Sequence, residues 1–373
     1  MKNIKFSKNS ISAKDIANVE NVIKSGWLTH GKFTNLFEKK FSQFTKSKFS
    51  VTVSSCTAGL HISCIAAGFS RGDEVIVPAM THTATAHAVE YTGAKAVFAD
   101  VETISGNVNL ELIKKKVTNK TKGIILVHMA GLPCDLKSIV KFCKKKNIIL
   151  LEDCAHALGT TYQKRYIGNF GLSGSFSFYP TKQITTGEGG MVVTNNEDFY
   201  NKIKKLKAFG IDTDVSERKV VGDYDVKSLG FNYRMTDFQA ALGYGQIISY
   251  KKNLAKRVAI AKRYIKNLSK SKQISYTPFS KNNSYFIFQI FCKNRNKILE
   301  ELKKKKIGVS VHYMHPLPKM SYYKKKYRVA SKHYVNATQY ANTNISLPVY
   351  PSLSIRDVDY ISKTIISLTA NEK

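Results

Sequence analysis

The first forty-five residues carry two helical rhythms. Ser12 precedes Ile16, Val19, Val22 and Ile23, a spacing that predicts a capped helix with these four residues on one face. A polar turn, Gly26-Trp27-Leu28-Thr29-His30-Gly31, leads into a second helical run carrying Phe33, Leu36, Phe37, Phe41 and Phe44. From Phe49 the rhythm changes. Short apolar runs predict strands at 49–53, 74–77, 94–98, 123–127 and 148–151, separated by helices near 57–68, 83–91, 109–117 and 135–145. Strands that are apolar throughout need cover on both faces, and their alternation with helices predicts a parallel sheet. Shorter strands are expected around 173–178 and 190–194.

Thr236 can cap a long helical stretch that runs to about Leu268. Beyond it the pattern predicts a strand at 284–292, a helix at 296–306, a strand at 308–313 and a last helix at 355–368. The expected fold class is therefore α/β. A large domain over residues 1–235, with a mostly parallel central sheet, is joined by the long helix to a smaller C-terminal α/β domain over 236–373.

Composition agrees with this picture. With 373 residues, 43% of them hydrophobic and 23% charged, the chain is long enough for about two domains and a proper core. It is neither a disordered chain nor a disulfide-stapled mini-protein. The charge is unusual: 59 Lys+Arg against 26 Asp+Glu give +33. Such an excess suits any polyanion, whether nucleic acid, acidic lipid or a phosphorylated metabolite. Only nine of the cations are Arg, the side chain favoured for bidentate phosphate and base contacts, and the lysines cluster at 114–116, 144–146, 303–306 and 324–326. This reads as a lysine-biased solvated surface, with no nucleic-acid or membrane partner expected. Six cysteines without C-x-x-C spacing read as small buried hydrophobes, so neither a disulfide framework nor a metal is expected. The start, Met1-Lys2-Asn3-Ile4-Lys5, has no apolar signal core, which leads us to expect a soluble cytoplasmic protein.

In an open parallel sheet, ligands bind beyond the carboxyl ends of the strands. Three segments follow such ends. Ser54-Ser55-Cys56-Thr57-Ala58-Gly59 runs from a strand into a helix N-terminus, where free amides either hold an anion or are met by an ordinary hydroxyl cap. Glu152-Asp153-Cys154-Ala155-His156 ends another strand with a carboxylate that either pairs with a cationic partner or caps the next turn. Phe176-Ser177-Phe178-Tyr179-Pro180-Thr181-Lys182 leads into Thr185-Thr186-Gly187-Glu188-Gly189-Gly190, so that Lys182 is either a desolvated nucleophile or a surface amine.

Together and in this order, these segments resemble the DegT/DnrJ/EryC1/StrS family of nucleotide-sugar aminotransferases, which have the fold type I PLP-dependent transferase architecture. Gly26–Gly31, Gly72-Asp73-Glu74-Val75-Ile76-Val77-Pro78 and Asn232-Tyr233-Arg234-Met235 extend the likeness over essentially the whole chain. The resemblance implies that Lys182 carries pyridoxal 5′-phosphate (PLP) covalently and moves the proton in catalysis. It also implies that Asp153 pairs with the ring nitrogen, that His156 lies near the ring hydroxyl and that His82 lies over the ring. The phosphate is expected on the amides of Thr57 and Ala58 and on Ser177. Asn232 is expected to complete that site from the neighbouring subunit of a homodimer. Trp27, Thr29, His312 and Tyr313 are expected on the substrate side. Two positions depart from the family pattern: Cys56 replaces a glycine of the phosphate turn, and Ala208-Phe209-Gly210 stands where many members have Asn-His-Gly.

The implied reaction moves an amino group from L-glutamate to a nucleotide-linked keto-sugar, with C4 of a 4-keto-6-deoxy hexose preferred over a 3-keto acceptor. A sugar dehydratase of the same fold is disfavoured, since such members carry His in place of the lysine.

Overall fold

The computed structural model describes residues 3–212, 220, 222–328 and 333–370. The first helix, α1 (Ala13–Ser25), begins where expected, because Ser12 and Asp15 form a reciprocal capping box and Gly26 closes the far end at φ 71°. Its buried face differs from the expectation. Val22 is buried, but Ile16 and Ile23 are 60% and 59% exposed. α1 instead presents Asp15 and Asn18 to Gly245 of the long helix, an approach that a side chain at Gly245 would block.

α2 (Lys32–Thr45) lacks a cap of its own. Asp237, distant in sequence, accepts the amides of Phe33 (3.3 Å) and Thr34 (2.7 Å) in its place. The α2 phenylalanines pack onto the sheet: Phe37 on Phe178, and Phe41 on Phe176.

Alternating strands and helices then follow as β1 (Phe49–Val53), α3 (Cys56–Ala66), β2 (Glu74–Pro78), α4 (Thr83–Glu90), β3 (Lys95–Ala99), α5 (Leu110–Lys114), β4 (Thr121–Val127), α6 (Leu136–Lys146) and β5 (Ile149–Asp153). A two-stranded ribbon, β6 (Thr161–Tyr162) and β7 (Arg165–Tyr166), precedes β8 (Ser173–Ser177), β9 (Gly190–Thr194) and α7 (Glu197–Leu206). The seven-stranded sheet has the order β1-β9-β8-β5-β4-β2-β3. Its pairs from β8 through to β3 are parallel, and only β9 runs against its two neighbours. Asp153 and Ser177 therefore end adjacent parallel strands at the same edge, while Gly190 starts the antiparallel one there.

The 32-residue α8 (Asp237–Leu268) leads to a three-stranded antiparallel sheet of β10 (Ser275–Tyr276), β11 (Phe288–Phe291) and β12 (Asn344–Leu347), in that order. α9 (Arg295–Lys304), α10 (Ser321–Tyr327), α11 (Val335–Thr343) and α12 (Ile355–Ala370) complete the chain.

Two expectations fail here. No strand forms over 308–313, where only Ser310 bridges to Ser346; the third strand of this sheet is Asn344–Leu347. Its polar Asn-Ile-Ser-Leu sequence gave no strand signal, and tertiary burial supplies it. The strand expected from 284 begins only at Phe288. Residues 284–287 are drawn towards the large sheet instead, where the Ser284 hydroxyl meets Thr160 and Gln183. The chain after Thr236 also serves the large core, since Tyr323 and Tyr340 pack into it.

Candidate active site

The carboxyl ends of β1, β4, β5 and β8 surround a cavity of about 440 Å³, within the size range of small-molecule sites. Thr57, His82, Asp153, His156, Ser177, Lys182, His312 and Tyr313 all line it. Eight residues chosen from separate stretches of sequence thus converge on one space.

Lys182 is placed by the turn after β8. Its amide donates to Tyr179 O (2.9 Å), and Gln246 of α8 holds the next turn by accepting the Thr185 amide (3.0 Å). Gly187, at φ 78°, and Gly190 allow the chain to fold back; a Cβ on Gly190 would lie 2.6 Å from the Cys56 amide, at the start of α3. Burial lowers the Lys182 ammonium to about 8, although Cys56 and Asp153 pull the other way. About a tenth of this amine is therefore free at pH 7, and about half at pH 8, far more than for an ordinary lysine.

Asp153 is buried and oriented from both sides. Oδ1 accepts the Ala155 amide (3.1 Å) and Oδ2 accepts the Thr85 hydroxyl (2.8 Å), which in turn accepts from Thr81 (2.9 Å). Its neighbour Glu152 points elsewhere. It accepts the amides of Gly168, Phe170 and Gly171 and pairs with His128. Burial alone would raise the Glu152 carboxyl, but these bonds hold it below the usual range. The ligand atoms of His128, Glu152 and Cys154 lie within 4.8 Å of one another. The Cys134 amide occupies His128 Nδ1, and the carboxylate is already fully bonded, so this trio braces the end of β5.

His156 receives the Ala130 amide on Nδ1 (3.4 Å), which leaves the ring hydrogen on Nε2, 3.3 Å from the Tyr313 hydroxyl. Burial, then Lys182 and His312, hold its pKa well below the ordinary value. His312, bonded to Ser346 (3.0 Å), is pushed to about 3 by burial and by Lys182. Both rings are thus neutral at physiological pH. His82 caps α4 by accepting the Ala84 amide, and its ring lies 6.0 Å from that of Tyr313.

The remaining expected residues lie elsewhere. The Ala58 amide donates to the Ser55 hydroxyl at 3.0 Å, which caps α3 and so takes up the amide expected to hold the phosphate. Asn232 is exposed, accepting from Arg234 (3.0 Å), while Trp27 is 60% exposed and Thr29 bridges to Thr236. None of these three lines the cavity of its own chain. Sequence reasoning missed Thr85 and Phe286. Thr85 had a signal in the spacing Thr81-x-x-x-Thr85, but Phe286 had none, because a strand was expected across it.

The donor set fits PLP: one desolvated amine, one oriented carboxylate, and a helix N-terminus with Thr57 and Ser177 beside it. The whole chain shows the same kinship. Residues 9–366 match the model of the DegT/DnrJ/EryC1/StrS aminotransferase family. The chain belongs to that family. GDP-perosamine synthase of Escherichia coli O157:H7 is 35% identical, covering 98% of each chain. The spore coat polysaccharide biosynthesis protein SpsC of Bacillus subtilis is also 35% identical, over 96% of this chain and 95% of its own. Among solved structures, Spr1654 of Streptococcus pneumoniae, assigned as a sugar aminotransferase, superposes in its PMP form with a TM-score of 0.93 at 30% identity, covering 99% of each chain. The same protein in its PLP form superposes at 0.92. This family member is accordingly a PLP-dependent sugar aminotransferase.

Proposed function

We propose that the enzyme transfers the amino group of L-glutamate to C4 of a nucleotide-linked 4-keto-6-deoxy hexose, in the cytoplasm, for a cell-surface polysaccharide. The observation that carries this reading is the placement of the Lys182 amine and the buried Asp153 carboxylate in one cavity. The likeness to GDP-perosamine synthase over nearly the whole chain favours a nucleotide-linked acceptor and C4 over C3. The net charge of +33 draws in an anionic nucleotide diphosphate. Cytoplasmic residence is supported by the six free cysteines, all buried.

When bound, PLP supplies the electron sink that stabilises a carbanion on the amino-bearing carbon. The chain supplies the rest. Thr85 and the Ala155 amide fix the Asp153 carboxylate, so its charge points steadily into the cavity. Lys182 Nζ, with its basicity lowered, can hold a proton and return it near neutral pH, which suits a general acid and base serving both half-reactions. The neutral His156 and His312 rings and Tyr313 wall the cavity and offer hydrogen bonds without adding charge.

We also propose that the enzyme acts as a homodimer, with Asn232 completing the neighbour's site. Asn232 and Trp27 lie exposed among apolar side chains such as Leu28, Phe209 and Leu229 that a partner would cover. Arg234 belongs to this surface too, bonded to His30 at 3.2 Å and stacked on Phe209, and we assign it no role in gripping the donor carboxylate.

The test is a panel of UDP-, GDP- and dTDP-linked keto-sugars with glutamate, locating the new amine by NMR. Amination at C4, abolished by Lys182→Ala, supports the reading. Amination at C3 would move the acceptor assignment, and release of an unaminated deoxy-keto sugar would replace it with dehydration.

A further inference from the structure

Residues 284–287 leave the expected strand, and Tyr285 takes a left-handed conformation at φ 47°. This turn drives Phe286, 2% exposed, against the lysine: Lys182 Nζ lies 4.5 Å from the centre of its ring. The same ring stacks on His156 at 4.5 Å and 26°, and meets His312 edge-on at 5.8 Å.

What holds the turn is Arg257 of α8. This arginine is 3% exposed and, among the described residues, donates to three backbone carbonyls: Tyr285 O (3.4 Å), Phe286 O (3.3 Å) and Val349 O (2.6 Å). Its Nε is buried and meets no partner among the described residues. A buried guanidinium that meets no carboxylate among the described residues is costly to the fold, so the contacts it does make point to what it is for. Two of its three acceptors belong to the dipeptide that presents the ring to Lys182.

We propose that Phe286 is a catalytic-site residue whose ring face directs the Lys182 amine, and that Arg257 is the positioning residue that fixes this ring by gripping the Tyr285 and Phe286 carbonyls. The inference rests on Lys182 being the cofactor-bearing amine. The ring acts in two ways. It excludes water from Nζ, which favours the free amine, and its face attracts the ammonium, which favours the charged form and sets its direction. Among the described residues, the other titratable groups lining the cavity with the amine are Asp153 at the end of β5, Cys56 at the start of α3, His82 before α4, His156 after β5, Tyr179 and Glu188 on either side of the lysine turn, and His312 and Tyr313 from the second half of the chain. All remain when the ring alone is changed.

The full-length chain, freed of cofactor, is mixed with PLP across about pH 6 to 10 and quenched with borohydride, and the pyridoxyl label is quantified by peptide mass spectrometry. The amine condenses with the aldehyde, releasing water, and hydride reduces the resulting C=N bond to a stable secondary amine. Wild-type labelling at Lys182 should rise through pH about 8. Phe286→Leu keeps an apolar side chain beside the amine but removes the ring face, so the midpoint should move down by about 0.5–1 pH unit, with Phe286→Tyr restoring it. Arg257→Met should move the midpoint the same way, and Arg257→Lys, which keeps a charged donor, should lie between.

Label on a different lysine in the wild type overturns the functional reading itself. Label at Lys182 with an unchanged Phe286→Leu midpoint overturns only the role of the ring. Arg257→Met at the wild-type midpoint overturns the brace. If that variant does not fold, a wild-type midpoint in Arg257→Lys overturns the brace and an intermediate one supports it.

Discussion

At the residue scale, the site works by controlling what surrounds two ionisable groups. Asp153 would be free to rotate without its two donors, and a carboxylate that rotates cannot hold a fixed partner. Thr85→Val keeps the shape and removes one donor. It should weaken PLP retention and lower kcat by about tenfold, as expected for one hydrogen bond to a charged group, with the circular dichroism unchanged; the cofactor dissociation constant and steady-state rates check this. Lys182 obeys a different logic. Its ordinary ammonium would release its proton near 10.5, but burial brings this to about 8. Raising the pH through 8 therefore frees the amine, and the rate of PLP capture should climb there and level off well below pH 10. A capture rate still rising steeply above pH 10 would show a solvated lysine instead.

At the element scale, the long helix α8 organises the molecule from behind the site. Its first residue, Asp237, caps α2; Gln246 holds the turn after Lys182; Arg257 grips the turn at Phe286. One rigid element thus fixes both sides of the lysine. Asp237→Ala should cost about 1–2 kcal/mol in denaturant unfolding by stripping the α2 cap, while Glu20→Ala on the exposed face of α1 should cost little. The glycines near Lys182 serve the same purpose at shorter range. Gly190→Ala sets a methyl against the Cys56 amide, so the variant should lose both stability and cofactor binding.

At the scale of the whole molecule, residues expected at one site fall on two surfaces. Lys182, Asp153 and their neighbours line the cavity, whereas Asn232, Trp27 and Thr29 lie outside it. The proposed homodimer with shared sites would reconcile the two, and mixing variants tests it. Lys182→Ala and Asn232→Ala homodimers should each be impaired, while co-refolded mixtures should regain activity through hybrid dimers that carry one intact site. Mixtures no better than their components would refute the shared site. The sequence alone determined the alternation of strands and helices, the β5 and β8 ends that carry Asp153 and Ser177, and the lysine before its glycine turn, because apolar periodicity and turn chemistry act over a few residues. It could not determine the strand Asn344–Leu347, whose polar residues become strand only by pairing with β11. Nor could it foresee the bend that carries Phe286 from an expected strand to Lys182. That bend depends on a guanidinium 28 residues away in the chain, and contacts of such reach are decided only when the elements pack.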